Sequence, residues 1–232
     1  MSRFDTILWD VDQTLLDFNL SQAYALSESF KRFGLEMKEG ILPLYAGINN
    51  TYWKRHELGE VSKAELLTGR FETLFSELGV KGIDIENFAA IYQKALGSVF
   101  YFRDDSYNLC SKIKGKVRQY AVTNGVTSTQ KNKLHLSGLD EILDGIFISE
   151  EIGYPKPQIE YFERCFERIP DFEKEKTIIV GDSLTSDMQG GNEAGIFTCW
   201  YNPEGKENST KLRIDYEIKN LWEVEKILDF SS

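Results

Sequence analysis

From about residue 105 the chain alternates short apolar runs with helix-length amphipathic segments, and that alternation restricts it to a parallel sheet with crossover helices. Helix signals over Tyr107 to Lys114 precede an apolar run from Val117 to Thr123. The pattern repeats with Thr127 to Ser137 then Gly145 to Ser149, and with Gln158 to Arg168 then Thr177 to Val180. A helix near Asp187 to Ala194, a strand from Ile196 to Trp200, a short strand from Ile214 to Ile218 and a closing helix from Leu221 to Leu228 complete it. At the other end of the chain, Phe4-Asp5-Thr6-Ile7-Leu8-Trp9 reads as a buried strand. The intervening stretch lacks any strand run. Asn19 or Ser21 can cap a helix ending at Gly34, a second covers about 39–57, Ser62-Lys63-Ala64-Glu65 is a capping box, and Asp84 opens a fourth. The expected architecture is therefore α/β, a Rossmann-like parallel-sheet core (1–17 and 101–232) with an inserted all-helical domain (18–100).

Composition narrows the function classes. Of 232 residues, 41% are hydrophobic and 28% charged, as in an ordinary globular protein rather than a disordered one. No apolar run approaches a bilayer span, and no basic region with an apolar stretch precedes Phe4, so the expected location is cytoplasmic. The formal net charge of −10 repels polyanions, which argues against a nucleic-acid polymer as partner but not against a small phosphate ester held with a divalent cation. Cys110, Cys165 and Cys199 are widely spaced without a C-x-x-C pair, and a disulfide framework or zinc site is not expected. No helix carries a sustained heptad seam, and oligomeric state is not readable.

Polar residues of complementary kinds sit at four strand exits or loops: Asp10 and Asp12, Thr123 and Asn124, Lys156 between Pro155 and Pro157, and Asp182 through Asp187. Two carboxylates at the exit of a buried strand are costly without a cation or hydrogen-bond partners. Side chains two apart on an extended backbone face one side, so Asp10 and Asp12 can address one bound group. A phosphoryl group needs donors for its oxygens and a cation to offset charge, and hard oxygen ligands select a small divalent metal such as magnesium. Asp10, Asp182 and Asp187 can supply carboxylates, and Asp12 a backbone carbonyl. Lys156 supplies positive charge. Thr123 with the amides of Asn124 and Gly125 supplies donors to an anion, Gly125 relieving crowding there.

On these motifs the chain resembles the haloacid dehalogenase superfamily along its whole length. Asp10-x-Asp12-x-Thr14 matches the first family motif, Thr123 the second, Lys156 the third, and Gly181-Asp182 with Asp187 the fourth. The resemblance implies a helical cap over the core, Asp10 as nucleophile, Asp12 as general acid and then base, and Thr123 and Lys156 as phosphate ligands. It also implies a magnesium shell of Asp10, Asp12 and Asp182, which Asp187 joins or supports. Within the superfamily the chain is similar to pyrimidine 5′-nucleotidases, through Trp53, Gly59 and Gly69-Arg70-Phe71-Glu72 in the cap and Ile148 through Gly153 before Lys156. The resemblance therefore implies a magnesium-dependent phosphomonoesterase acting on nucleoside monophosphates. Tyr45, Tyr52, Trp53 and Phe71 are candidate stacking partners for a base. The alternatives are a sugar-phosphate phosphatase, a phosphoglucomutase-like phosphotransferase and, more remotely, a non-catalytic phospho-receiver or binding module. A serine or cysteine triad has no support: there is no G-x-S-x-G elbow, and His56 and His135 lie in helix-like segments.

Overall fold

The computed structural model describes residues 3–229. The strands are β1 (Thr6–Asp10), β2 (Arg118–Thr123), β3 (Gly145–Ile148), β4 (Thr177–Gly181), β5 (Phe197–Tyr201) and β6 (Tyr216–Ile218). They form one parallel sheet in the order β3-β2-β1-β4-β5-β6. All five residues of β1 are buried, as a central strand covered on both faces must be. One apolar layer gathers Phe4, Ile7, Trp9, Leu109, Ile113 and Leu134. The other gathers Leu8, Val122, Tyr161, Phe162, Ile179 and Met188. The chain runs outward from β1 in one direction to β3, then returns and continues from β4 in the other. The carboxyl ends of β1 and β4 thus flank the point where strand order reverses, the place where open parallel sheets hold ligands.

The helices are α1 (Phe18–Arg32), α2 (Ile41–Glu57), α3 (Lys63–Glu77), α4 (Ile85–Leu96), α5 (Ser106–Ile113), α6 (Thr127–Ser137), α7 (Ser149–Ile152), α8 (Ile159–Phe166), α9 (Gln189–Ala194) and α10 (Val224–Leu228). Contacts divide the chain into two compact units, one of residues up to Phe18 and from Phe100 on, the other Asn19–Val99. The second is all helix. Its start signals operate as their chemistry requires: Ser62 and Glu65 exchange backbone-to-side-chain bonds at 3.2 and 2.7 Å, and Asp84 accepts from the Asn87 amide at 3.0 Å. Its core is aromatic. Tyr45 and Phe71 stack at 5.3 Å and 8°, ringed by Phe88 and Tyr92. Both are fully buried, which corrects their expected role as base-stacking surfaces: they are packing residues. Tyr52 and Trp53 remain partly exposed, with Lys63 4.6 Å over the Trp53 ring.

Within the sheet unit, the segments that leave for and return from Asn19–Val99 are bonded to each other. The Asp17 amide donates to Tyr101 O at 2.7 Å, the Arg103 amide to Leu15 O at 3.1 Å, and Leu16 bridges Phe102 in antiparallel fashion. Arg103 and Asp17 pair at 3.3 Å. The three cysteines are buried and free. Among the described residues no helix is long and apolar enough to cross a membrane.

Candidate active site

Parallel register places Asp10 beside Val122, so Asp10 ends β1 where Thr123 ends β2, while Gly181 ends β4 on the other side. Asp182 is the next residue, its carbonyl held by the Trp200 indole at 2.9 Å. A turn of π-helical type, Leu184–Met188, then carries Asp187 back toward the strand. Its start is capped by Ser183, whose Oγ accepts from the Ser186 amide at 3.1 Å. The turn brings the Asp187 carboxylate so close to Gly181 that a Cβ there would lie 2.2 Å from Oδ2. Only glycine fits at that strand end. Asp187 Oδ2 also accepts from the Ser183 amide at 3.2 Å.

Lys156 joins these acids. Its Nζ donates to Asp10 Oδ1 at 2.8 Å, Asp187 Oδ1 at 2.6 Å and Val122 O at 2.9 Å, which uses all three ammonium hydrogens. The loop bearing Lys156 is fixed by Asn124, whose Nδ2 donates to Lys156 O and whose Oδ1 accepts from Lys156 N, both at 2.8 Å. The Asn124 side chain is therefore committed to the lysine loop. The Lys156-Pro157 peptide is cis. Thr123 is buried at the strand end and its Oγ1 accepts from the Gly125 amide at 3.1 Å. The described acids and lysine thus form one contiguous cluster on β1, β4 and the loop before α8.

Burial pushes the Asp10 carboxyl up to about 7, against the pull of the Lys156 ammonium and with help from the Asp187 charge. Asp182 is held well above the usual carboxylate range by lost hydration, then by the charges of Asp10 and Asp187. Burial alone would lower Lys156, but Asp10 and Asp187 outweigh it and hold the lysine above its ordinary value. The acids are thus crowded beyond what Lys156 neutralises. Oxygens of Asp10, Asp182 and Asp187 lie within 4.8 Å of one another, and Asp10 Oδ2 is buried with no hydrogen-bond partner. An orphaned carboxylate oxygen among mutually repelling acids fits a hard divalent cation, which would accept these oxygens as ligands and relieve the repulsion.

Asp12 lies apart from that cluster in its bonding. Its Oδ1 pairs with Lys133 and its Oδ2 accepts from Gln130 Nε2. Neither α6 residue stood out in the sequence. The available signal was a helix with little apolar stripe, whose buried face is Thr129, Gln130, Lys133, Leu134 and Ser137. The group that Gly125 makes room for is the Gln130 side chain: a Cβ on Gly125 would sit 2.0 Å from its Nε2. His56 and His135 bond to Val61 O and Asp140 respectively, outside this site.

A family model described as haloacid dehalogenase-like hydrolase matches residues 4–195. The HAD-hydrolase YfnB of Bacillus subtilis is 38% identical over 100% of this chain and 98% of its own length. A crystal structure of YfnB described as bound to magnesium superposes with a TM-score of 0.92, covering 98% of this chain and 99% of that one. Pyrimidine 5′-nucleotidase PynA of Streptococcus pneumoniae is 38% identical over 96% of this chain and 94% of its own, and pyrimidine 5′-nucleotidase YjjG of Escherichia coli 26% identical over 97% and 98%.

Proposed function

Because the chain belongs to the haloacid dehalogenase-like hydrolases, we propose that it is a magnesium-dependent phosphomonoester hydrolase, a 5′-nucleotidase on pyrimidine nucleoside monophosphates working through an aspartyl-phosphate on Asp10. The observation that carries the chemistry is the buried Asp10 with one oxygen on Lys156 and the other unpartnered at a strand exit. Asp10, Asp182 and Asp187, with the Asp12 carbonyl, are the residues that would hold the metal. When bound, magnesium supplies charge compensation between the anionic substrate and the acids and polarises the phosphoryl oxygens.

Asp10 attacks phosphorus in line: a carboxylate O–P bond forms, the ester P–O bond breaks, and Asp12 gives its proton to the leaving alkoxide. Asp12 then takes a proton from water, the hydroxide oxygen bonds to phosphorus, and the Asp10–phosphorus bond breaks to free inorganic phosphate. Lys156 keeps Asp10 placed and contributes positive charge beside the transferring group. Thr123 and Asn124, between β2 and α6, would be the further donors to that anion, the Gly125 amide being already bonded to Thr123 Oγ1. The pyrimidine specificity rests on the likeness to PynA and YjjG over nearly full length.

The test is phosphate release from a panel of nucleoside monophosphates and sugar phosphates, with and without magnesium, beside Asp10→Asn. Preferential release from pyrimidine monophosphates that disappears without metal or without the Asp10 carboxylate is the expected result. Selective release from sugar phosphates would overturn the substrate, and transfer to a second sugar hydroxyl in place of water would overturn hydrolysis.

A further inference from the structure

A fully buried lysine is costly unless its charge is paired, and Lys133, with no exposure of its side chain, spends that charge on Asp12. Gln130, one helical turn earlier on the same face of α6, donates Nε2 to the other Asp12 oxygen while its own Oε1 finds no partner. A leucine at either position would pack the α6 face without these burdens. The arrangement instead fixes both oxygens of Asp12 from one side, leaving a carboxylate that is 26% exposed on the other. Each carboxylate oxygen has two lone-pair sites, so one donor apiece still leaves each oxygen able to face a substrate or a water. Gly125 completes the device, since any Cβ there would drive Gln130 away from Asp12.

We propose that Gln130 and Lys133 are positioning residues for the proton transfer at Asp12, aiming its carboxylate at the leaving-group oxygen, with Gly125 as the gap that admits Gln130. The inference rests on the assignment of Asp12 as general acid. It differs from a merely structural role in one respect. A misaimed general acid slows loss of an alkoxide, which needs a proton, and hardly affects loss of p-nitrophenolate, which leaves as a stable anion.

The experiment measures kcat/KM for a nucleoside 5′-monophosphate and for p-nitrophenyl phosphate with magnesium, in the wild type, Asp12→Asn, Lys133→Met, Lys133→Arg, Gln130→Leu and Gly125→Ala, each checked for native circular dichroism. Lys133→Met and Gln130→Leu should lose about 10- to 100-fold on the nucleotide, within the range for general acid catalysis, and no more than about threefold on the aryl ester. Lys133→Arg should recover part of the nucleotide rate. Gly125→Ala should show the same selective loss although it removes no polar group, and it keeps the test open if Lys133→Met fails to fold. Equal losses on both esters, or none, in the Gln130, Lys133 and Gly125 variants while Asp12→Asn is selective would overturn this inference alone. An unselective Asp12→Asn would overturn the general-acid assignment and the inference with it.

Discussion

Replacing Lys156 by Met tests the electrostatics of the site directly, because methionine keeps an unbranched stem as far as Cε and deletes the ammonium with its charge and three donors. Its ammonium and the two carboxylates it joins are nearly sealed from water, with side-chain exposures of 2% for Lys156, 11% for Asp10 and 1% for Asp187. Removing one partner from such a buried pair leaves uncompensated charge and costs about 3–5 kcal/mol. The cost has a defined pH dependence. Asp10 takes up its proton near 7 when folded and near 3.8 when unfolded, so the folded state holds the extra proton in that window. The stability this contributes is fully present below the unfolded value and is lost as pH rises through the folded one. Without Lys156 the folded value moves higher still, so variant and wild type both hold the Asp10 proton at pH 5.5 and diverge as pH rises past 7. Urea denaturation of the metal-free protein, followed by the fluorescence of the buried Trp9 and Trp200, should therefore show a larger loss at pH 8 than at pH 5.5. A loss under about 1 kcal/mol at pH 8, or one that shrinks as pH rises, would refute the reasoning.

Further outcomes follow from the same geometry. Magnesium affinity should weaken as pH falls below about 7, approaching tenfold per pH unit, because the cation must displace the proton of Asp10; calorimetry in buffers of different ionisation enthalpy should detect proton release, and pH-independent affinity between 5 and 7 would contradict the metal's contact with Asp10. Asn124→Ala removes both bonds to the Lys156 backbone and should cost about 1–3 kcal/mol, with a fall in kcat larger than any rise in KM, measured by denaturation and steady-state kinetics. Gly181→Ala should displace Asp187 and weaken magnesium binding at least tenfold, read by titration, with the sheet retained by circular dichroism.

What the sequence disclosed and what it withheld divide along the range of the interactions. Strand exits, the Ser62 capping box and the Asp84 cap are written in neighbouring residues, and each is found where local chemistry puts it. The helix Ser149–Ile152 escapes because four residues carry no 3.6-residue period. The bonds that shape the site join residues far apart: Asn124 to Lys156, Asp12 to Gln130 and Lys133, Lys156 to Asp10. Residue type and strand order place such groups near one another, but not which donor meets which oxygen. Tyr45 and Phe71 mislead for the opposite reason, since an aromatic that stacks on a ligand and one that fills a core look alike until burial is known.

The backbone bonds joining Leu15–Asp17 to Tyr101–Arg103 have a consequence for how this chain can change. To the sheet, everything from Asn19 to Val99 is a single loop whose ends are already tied together. The entropy of closing a loop grows only with the logarithm of its length, so a tenfold change in size alters it by about 2 kcal/mol. The sheet can therefore accept a shorter, longer or wholly different insertion at this point without resetting strand register. Selection on the inserted piece and selection on the chemistry at the strand ends can proceed as largely separate histories within one gene.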